Sequence, residues 1–335
     1  MFEFRVIDGT TAREVIAGAR PRIVQEVRET YLTHGAGESV NPDSYFLRFP
    51  AKPDARIIAL PAYLGGSVGL AGIKWISSFP ANIERGFPRA SAALLLNDYE
   101  TGYPFAVLEA SQISAARTAA SAVLAAEVLS GGRTAGRLAV VGAGIIARNI
   151  LEFFGAQEWA IDELVVHDRE ATYAQALVDH ADAQLGYPAR VVEDLGEALK
   201  GADVVVLATT AGEPYILDPE TFAPGQLVLN ISLRDLAPEI IGGAYNVLDD
   251  VEHCMKANTS PHLAEQLYGN REFVTGTLAQ VIEGEVAVGT DRPVVFSPFG
   301  LGVLDLAVGA LVHAEAVAAG KATEIPGFFA ETTRW

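Results

Sequence analysis

The fold is decided by the stretch Leu138–Phe154, LAVVGAGIIARNILEFF, in which an apolar strand runs into a glycine turn and then a helix. The turn has the pattern Gly142-x-Gly144-x-x-Ala147. The first glycine permits a tight turn, the second lets backbone amides approach a pyrophosphate, and the small third residue lets the helix pack on the strand. The stretch therefore predicts a dinucleotide-binding unit, with a cofactor-free scaffold of the same fold as the alternative.

The next strand, ELVVHD, ends on Asp168. A carboxylate at this position can accept hydrogen bonds from the adenosine ribose hydroxyls and would repel a 2′-phosphate, so it favours NAD over NADP. Arg169, the following residue, is also predicted to contact the cofactor, and its charge opposes that preference. Thr209 and Thr210 follow the strand DVVVLA, where such folds place ligand contacts, although small polar residues are also common in turns.

Short apolar strands alternate with helical segments from residue 130 to residue 298. This order predicts a Rossmann-type, doubly wound α/β domain with a parallel sheet covered on both faces. The final helical stretch places Leu304, Val308, Leu311 and Val312 on one face, which needs another apolar surface. We therefore predict a second, discontinuous α+β domain made of residues 1–129 and 299–335.

Composition limits the function further. The chain has 335 residues, a net charge of −18 and a single cysteine, Cys254. The charge argues against nucleic acid as a partner, and one cysteine allows neither an internal disulfide nor a multi-cysteine metal site. The sequence shows no secretory signal and no uninterrupted apolar run long enough to span a membrane, so we expect a cytoplasmic protein. His253 beside Cys254 is the one place where a metal could be imagined, and we predict none.

Three charged residues stand in apolar or crowded surroundings. Lys74 lies inside the strand-like stretch LAGIKWISSFP, where a lysine must reach water, pair with an acid or meet a ligand. Arg117 lies among small alanines, and such a crowded arginine needs an anion, which can be an internal carboxylate or a ligand. Asp235 follows the core strand QLVLNI, at the sheet edge where ligands bind, although an acid in such a place is often a helix cap.

Several stretches resemble the ornithine cyclodeaminase/mu-crystallin family over nearly the whole chain: GIKW, FPRASAALLLND, ETGYPFAVLEASQISAARTAASAVLAA, VVGAGIIA and LRD. Within the family, PRAS, GIKW, NISLRD and SPFG are similar to dehydrogenases of 2,3-diaminopropionate biosynthesis, which serves siderophores or antibiotics. Those enzymes oxidise N-(2-amino-2-carboxyethyl)-L-glutamate to 2-oxoglutarate and L-2,3-diaminopropionate. The resemblance implies an NAD-dependent oxidoreductase acting on a CH–NH group of a small anionic amino acid, and a homodimer built through the first domain.

The resemblance also implies roles for single residues. Asp235 and Lys74 match catalytic residues, and Asp235 is the acid/base. Lys74, Arg117 and Arg48 match residues that bind the substrate. Thr118 fits a contact with the pyrophosphate. The remaining cofactor contacts are expected at Gly142, Gly144, Ile145, Ile146, Asp168, Arg169, Thr209, Ser232 and Leu233.

Two departures from the cyclodeaminases bear on the substrate. Cyclodeaminases follow their glycine-aspartate pair closely with a lysine, whereas this chain reads RDLAPE, with Glu239 near that place. Arg89 stands where they have a smaller residue, which suggests an additional carboxylate on the substrate. The alternatives are an ornithine cyclodeaminase, another amino-acid dehydrogenase or a ketimine reductase, and a mu-crystallin-like protein that binds the dinucleotide without turnover.

Overall fold

The computed structural model describes residues 3–334. Two compact units make up the chain: unit 1 is Met1–Arg117 with Leu301–Trp335, and unit 2 is Thr118–Gly300. The chain passes from unit 1 to unit 2 inside the helix α2 (Ser111–Ser130), whereas the sequence places the domain boundary at the end of that helix.

Unit 1 is built on a mixed sheet of eight strands, numbered along the whole chain. The strands are β1 (Arg5–Ile7), β2 (Ser39–Val40), β3 (Tyr45–Phe49), β4 (Lys52–Leu64), β5 (Leu70–Ser78), β6 (Ala90–Asp98), β7 (Pro104–Glu109) and β16 (Thr323–Glu324). Their order is β16-β1-β7-β6-β5-β4-β2, with β3 also paired to β4. The helices are α1 (Gly9–Gly35), α10 (Gly302–Ala318), the first turns of α2 and a short 3-10 helix (Pro80–Arg85).

Helix α10 lies on the sheet of unit 1, in contact with α1 and with β4, β5 and β6. The approach is close, because a Cβ atom on Gly309 would collide with Leu94 of β6. Side chains alternate between the two faces of a strand. In β5 this alternation directs Lys74 towards α10 and leaves Trp75 exposed on the opposite face.

Unit 2 contains a second eight-stranded sheet. Its strands are β8 (Thr134–Val141), β9 (Ala160–His167), β10 (Ala189–Val191), β11 (Val204–Leu207), β12 (Leu227–Asn230), β13 (Tyr245–Leu248), β14 (Val274–Thr277) and β15 (Val294–Ser297). Their order is β10-β9-β8-β11-β12-β15-β13-β14, and every neighbouring pair is parallel. The helices are α3 (Ile145–Ala156), α4 (Ala171–His180), α5 (Leu195–Leu199), α6 (Pro238–Gly243), α7 (Val251–Cys254), α8 (Ser260–Tyr268) and α9 (Leu278–Ile282), with a π-helical segment (Ala181–Leu185).

The architecture confirms the predicted fold class, a Rossmann-type doubly wound parallel sheet together with a discontinuous α+β unit. The chain moves outwards from β8 through β9 to β10 and then returns to β11 on the other side of β8. Ligands of open α/β sheets bind at such a reversal point, outside the carboxyl ends of the strands. In unit 2 this point lies between β8 and β11.

Helix α2 is long and apolar enough to cross a membrane by length and composition. Two thirds of it, 67%, are nevertheless buried inside the protein. Helices that form the core of a globular protein pass the same test, so the length and apolar character of α2 follow from its buried position.

Candidate active site

The glycine turn after β8 lies at this reversal point. Gly142 has a φ of +91°, and a Cβ atom there would lie 2.7 Å from the carbonyl oxygen of Ala208, just after β11. Both facts require glycine at this position. A Cβ atom on Gly144 would meet no atom within 4 Å, and Gly144 precedes the first turn of α3, which begins at Ile145. The exposed backbone before a helix N-terminus suits a pyrophosphate, so the loop fits the predicted dinucleotide.

Asp168 follows β9 and contacts the same turn. Its carboxylate accepts a hydrogen bond from the backbone N–H of Ala143 at 2.7 Å and another from Glu170 at 2.9 Å. Arg169 is exposed beside it. Asp168 is therefore placed next to the glycine turn, where the adenosine ribose is expected, and its contact with the ribose remains a prediction.

Asp235 lies in the loop after β12 and is completely buried. The hydroxyl of Thr209 lies 2.9 Å from both carboxylate oxygens, and the hydroxyl of Tyr215 donates a hydrogen bond to Oδ2 at 3.0 Å. The nearby helix α6 has Ala237 as its N-cap residue, without a side-chain bond. The helix-capping alternative for Asp235 is therefore wrong, because its carboxylate faces two hydroxyl groups instead of the end of a helix.

Burial raises the pKa of Asp235 above its ordinary value, and the hydroxyl groups around the carboxylate and the charge of Arg234 act in the opposite direction. A carboxylate held out of water is a stronger base than one on the surface. The site therefore suits an aspartate that takes up a proton during a reaction.

The remaining cofactor candidates lie in unit 2. The hydroxyl of Thr209 bonds to Asp235, and the buried hydroxyl of Ser232 faces the same carboxylate and lowers its pKa. Leu233 has a φ of +77°, a strained conformation for a branched residue. Ile145 and Ile146 form the first turn of α3, and Thr118 is partly buried in α2. Cofactor contacts of all six remain predictions.

Unit 1 contains a buried cluster of two cations and one anion. The ammonium of Lys74 is 1% exposed and donates to Asp305 Oδ2 at 2.5 Å and to Ser114 Oγ at 3.2 Å. Arg117 Nε lies 3.4 Å from the other oxygen of Asp305. Lys74 is thus paired with an internal acid, and the alternative in which it reaches water is wrong. The internal carboxylate considered for Arg117 is the same Asp305.

The cluster retains capacity for an anionic ligand. One aspartate faces two cations, so one positive charge is uncompensated within the cluster. The side chain of Arg117 makes no hydrogen bond to any of residues 3–334, although it is only 13% exposed. Burial and the charge of Arg117 lower the pKa of Lys74, Asp305 opposes them, and the resulting pKa is about 8. Lys74 is therefore charged at neutral pH and neutral in alkaline solution.

Two further arginines of unit 1 are predicted to bind substrate. Arg89 lies between the 3-10 helix and β6, partly buried, and burial lowers its pKa. Its side chain has no acidic or hydrogen-bonding partner within the described chain, residues 3–334. Arg48 is exposed in β3, with its guanidinium 5.4 Å from the ring of Phe46. A partly buried guanidinium without an acid suits an anionic ligand, so Arg89 has the stronger structural case.

The region of His253 and Cys254 is held together by hydrogen bonds of the Cys254 thiol and of Asp249. The buried thiol of Cys254 donates to Asp249 at 3.0 Å, and burial raises the pKa of Cys254 well above its ordinary value. Asp249 also accepts hydrogen bonds from the backbone of Phe299 and Gly300. Among residues 3–334 no group of three or more His, Cys, Asp or Glu side chains could hold a metal ion. The thiol and Asp249 instead fix the loop after β15.

The sequence analysis missed one residue in the polar cluster of each unit. Asp305 lies in the first turn of α10, on the buried side of a helix whose apolar face was recognised without it. The signal was present, because a lone acid within an otherwise apolar helical face needs a buried cation. Tyr215 gave no comparable signal, since it lies in an irregular loop and meets Asp235 only through the fold.

Comparisons with known proteins identify the family of this chain. A family model described as the ornithine cyclodeaminase/mu-crystallin family matches residues 20–320. N-((2S)-2-amino-2-carboxyethyl)-L-glutamate dehydrogenase of Staphylococcus aureus is 30% identical over 304 residues, which cover 88% of this chain and 89% of the relative. Alanine dehydrogenase of Archaeoglobus fulgidus is 28% identical over 309 residues, covering 90% and 92%. A solved archaeal alanine dehydrogenase dimer with bound NAD superposes with a TM-score of 0.86 at 26% identity, covering 98% of this chain and 100% of that chain.

The fold, the family and the relatives identify an NAD-dependent oxidoreductase that acts on a CH–NH group, within the range of amino-acid dehydrogenases, reductases and cyclodeaminases. The chain belongs to the ornithine cyclodeaminase/mu-crystallin family.

Proposed function

We propose that the protein oxidises N-(2-amino-2-carboxyethyl)-L-glutamate with NAD and hydrolyses the product to 2-oxoglutarate and L-2,3-diaminopropionate. The observation that carries this proposal is Arg89, a partly buried guanidinium without an acidic partner in the described chain. Together with Arg117, Lys74 and the exposed Arg48, it gives unit 1 enough cationic groups for a substrate with three carboxylates. The 30% identical Staphylococcus aureus relative is named for the same activity.

The chemistry requires a base and a source of water. NAD, when bound, would supply the hydride acceptor for the α-carbon of the glutamate part. Asp235 takes the proton from the secondary amine, so that the nitrogen lone pair can form the C=N bond. Water then adds to the imine carbon and the C–N bond breaks, with Asp235 supplying the proton to the leaving amine. The balance is one adduct, one NAD and one water giving 2-oxoglutarate, diaminopropionate, NADH and one proton.

The remaining residues are assigned either to the carboxylates of the substrate or to the cofactor. Lys74 and Arg117 hold the α-carboxylate or polarise the water, and Arg48 and Arg89 hold the other carboxylates. In unit 2, we propose that Asp168 and Arg169 contact the adenosine end. The backbone of Gly142, Gly144, Ile145 and Ile146 and the side chain of Thr118 bind the pyrophosphate. Thr209, Ser232 and Leu233 complete the cofactor site.

Alanine dehydrogenase activity is the second candidate, because the Archaeoglobus fulgidus relative matches 90% of this chain at 28% identity. Steady-state kinetics on the glutamate adduct, alanine and ornithine, each with NAD, separates the candidates. We expect kcat/KM for the adduct to exceed the other two by at least about a hundredfold, since two additional charged contacts are worth roughly that much. Equal or greater kcat/KM for alanine or ornithine contradicts the proposal.

Arg89→Ala is expected to raise KM for the adduct roughly ten- to hundredfold with a smaller change in kcat, because a charged hydrogen bond to substrate is lost. Arg85→Ala, in the 3-10 helix before Arg89, is the matched control and should have little effect. Steady-state kinetics on both variants gives the measurement. An unchanged KM in Arg89→Ala would remove this residue from the substrate site.

Asp168→Ala is expected to move the cofactor preference of the enzyme from NAD towards NADP, because the carboxylate that repels a 2′-phosphate is removed. The variant also loses the hydrogen bond to Ala143, so KM for NAD should rise. Comparing kcat/KM for the two cofactors in the parent and the variant checks the prediction. Equal use of NAD and NADP by the parent would show that Asp168 does not select the cofactor.

We also propose that the protein is a cytoplasmic homodimer formed through unit 1. The solved archaeal relative is a dimer. On this chain, Tyr45, Leu47 and Trp75 are exposed on one face of the unit 1 sheet, since Tyr45 and Trp75 both pair with Ala59 of β4. An exposed apolar row of this kind is typical of a protein interface.

A further inference from the structure

Tyr215 and Asp235 are held together by their backbones as well as by their side chains. The backbone N–H groups of Tyr215 and Ile216 donate to the carbonyl of Asp235 at 3.2 Å and 3.0 Å, and Ala237 donates back to Ile216 at 2.9 Å. This bridge joins the loops after β11 and β12. The hydrogen bond from the Tyr215 hydroxyl to Asp235 Oδ2, 3.0 Å long, is therefore a built contact between two fixed segments.

The two side chains differ in their access to water. Asp235 is 0% exposed, whereas Tyr215 is 39% exposed. Thr209, the other residue that donates to the carboxylate, is only partly accessible. Water therefore reaches part of Tyr215 but not the carboxylate that its hydroxyl contacts.

A purely structural role would be to satisfy a buried carboxylate. Thr209 already donates to that carboxylate, so Asp235 keeps one donor without Tyr215. The Tyr215 hydroxyl, as a second donor, also makes Asp235 easier to ionise, because a hydrogen bond to the charged form favours that form. Burial and the charge of Asp235 raise the pKa of Tyr215, with a smaller contribution from Asp168, so the phenol stays protonated and remains a donor.

On the basis of the proposed function, we propose that Tyr215 is a positioning residue for the base: it orients Oδ2 of Asp235 and favours the ionised form of that carboxylate. Both effects act through the hydrogen bond between the two side chains, and no bond is made or broken at Tyr215.

The test uses Tyr215→Phe, which removes only the hydroxyl. Its matched control is Tyr245→Phe, because the Tyr245 hydroxyl also donates to an aspartate, Asp291, at 2.7 Å on the surface of the same unit. The pH dependence of kcat is measured for the parent and both variants. The protonation of Asp235 is followed directly by NMR with ¹³C-carboxyl-labelled aspartate, with its signal assigned from Asp235→Asn.

We expect Tyr215→Phe to lower kcat roughly tenfold or more, less than removal of the base, and to shift the acidic limb of the profile to higher pH. The NMR titration should show the pKa of Asp235 raised further by roughly half a unit or more, because one donor to the charged form is lost while Ser232, Thr209 and Arg234 remain. Tyr245→Phe should match the parent in both measurements.

The inference is overturned if kcat is unchanged, whatever the titration shows, or if kcat falls while the pKa of Asp235 stays the same. Failure of the proposed function is separate, since it appears as a parent enzyme that does not oxidise the glutamate adduct. The NMR titration needs no substrate, and the kinetic comparison is then made with alanine or ornithine, whichever the parent turns over.

Discussion

Asp235→Asn is expected to lower kcat at least about a hundredfold, because it removes the base and keeps the shape of the side chain. General acid–base catalysis contributes roughly 10²–10⁴ to a rate, which corresponds to about 3 to 5.5 kcal/mol of barrier. The amide can still accept a hydrogen bond from Tyr215, and the Thr209 hydroxyl can turn to accept one from the amide. Binding of NADH and folding should therefore be preserved.

The pH dependence of protein stability provides an independent check on Asp235→Asn. Burial raises the pKa of Asp235, so the folded protein keeps this proton at pH values where the unfolded chain has lost it. The parent therefore loses stability relative to Asp235→Asn as the pH rises from the ordinary carboxyl range through the raised pKa. Melting temperatures of both proteins across that range give the comparison.

The control is Asp218→Asn, an exposed turn residue in the loop that carries Tyr215. It should behave like the parent in kcat, NADH affinity and melting temperature. A kcat for Asp235→Asn within about threefold of the parent would remove Asp235 from the catalytic role, given the size of the effect expected for a lost base.

The second large effect is expected from Asp305→Ala, because it leaves Lys74 and Arg117 buried without their shared anion. Removing one partner of a buried ion pair costs about 3–5 kcal/mol of unfolding free energy. Denaturant unfolding of the parent and the variant measures the loss. The control is Glu14→Ala, which removes the exposed pair between Glu14 and Lys321 and should cost about 1 kcal/mol or less.

A double variant, Lys74→Met with Asp305→Leu, distinguishes the ion pair from simple loss of packing. It removes Lys74 and Asp305 together but leaves Arg117 without its acid, so it should recover the part of the stability loss in Asp305→Ala that comes from the unpaired Lys74. It should not recover substrate binding, because Lys74 is absent. A loss below about 1 kcal/mol in Asp305→Ala would show that the cluster does not stabilise unit 1.

The same cluster predicts a pH dependence for catalysis. The pKa of Lys74 is about 8, so its positive charge is lost in alkaline solution. We expect kcat/KM for an anionic substrate to fall above about that pH, while binding of the dinucleotide to unit 2 persists. Asp305 opposes the lowering of this pKa, so Asp305→Asn should move the fall to lower pH. If kcat/KM falls at the same alkaline pH in the parent and in Asp305→Asn, Lys74 is not the cause of the fall.

The sequence predicted the parts of the molecule that are encoded locally. The glycine turn needs residues within a few positions of each other, and the structure explains each glycine by a positive φ or by open space before α3. Five of the six strands recognised between residues 134 and 248 contain buried apolar runs, and the sixth, β10, is a partly exposed strand at the edge of the sheet. The short strands β14 and β15 were not predicted, and β15 lies between β12 and β13, so the order of the sheet depends on contacts that a linear pattern does not carry.

The sequence did not predict the contacts of the charged residues, because these contacts also join distant parts of the chain. Lys74 and Asp305 are separated by 231 positions, and their pairing depends on α10 returning to the sheet of unit 1. The sequence indicated that Lys74 needed a partner and did not identify it. Tyr215 reaches Asp235 through a single backbone bridge between two irregular loops, a geometry for which no residue pattern exists.

Product analysis of one incubation tests the central claim most directly. The protein is mixed with NAD and N-(2-amino-2-carboxyethyl)-L-glutamate, and NADH, 2-oxoglutarate and 2,3-diaminopropionate are quantified over time. The account predicts that the three products appear in equal amounts, and that none appears with Asp235→Asn on the same time scale. NADH formed without 2-oxoglutarate, or no NADH from the adduct while alanine or ornithine is oxidised, would contradict it.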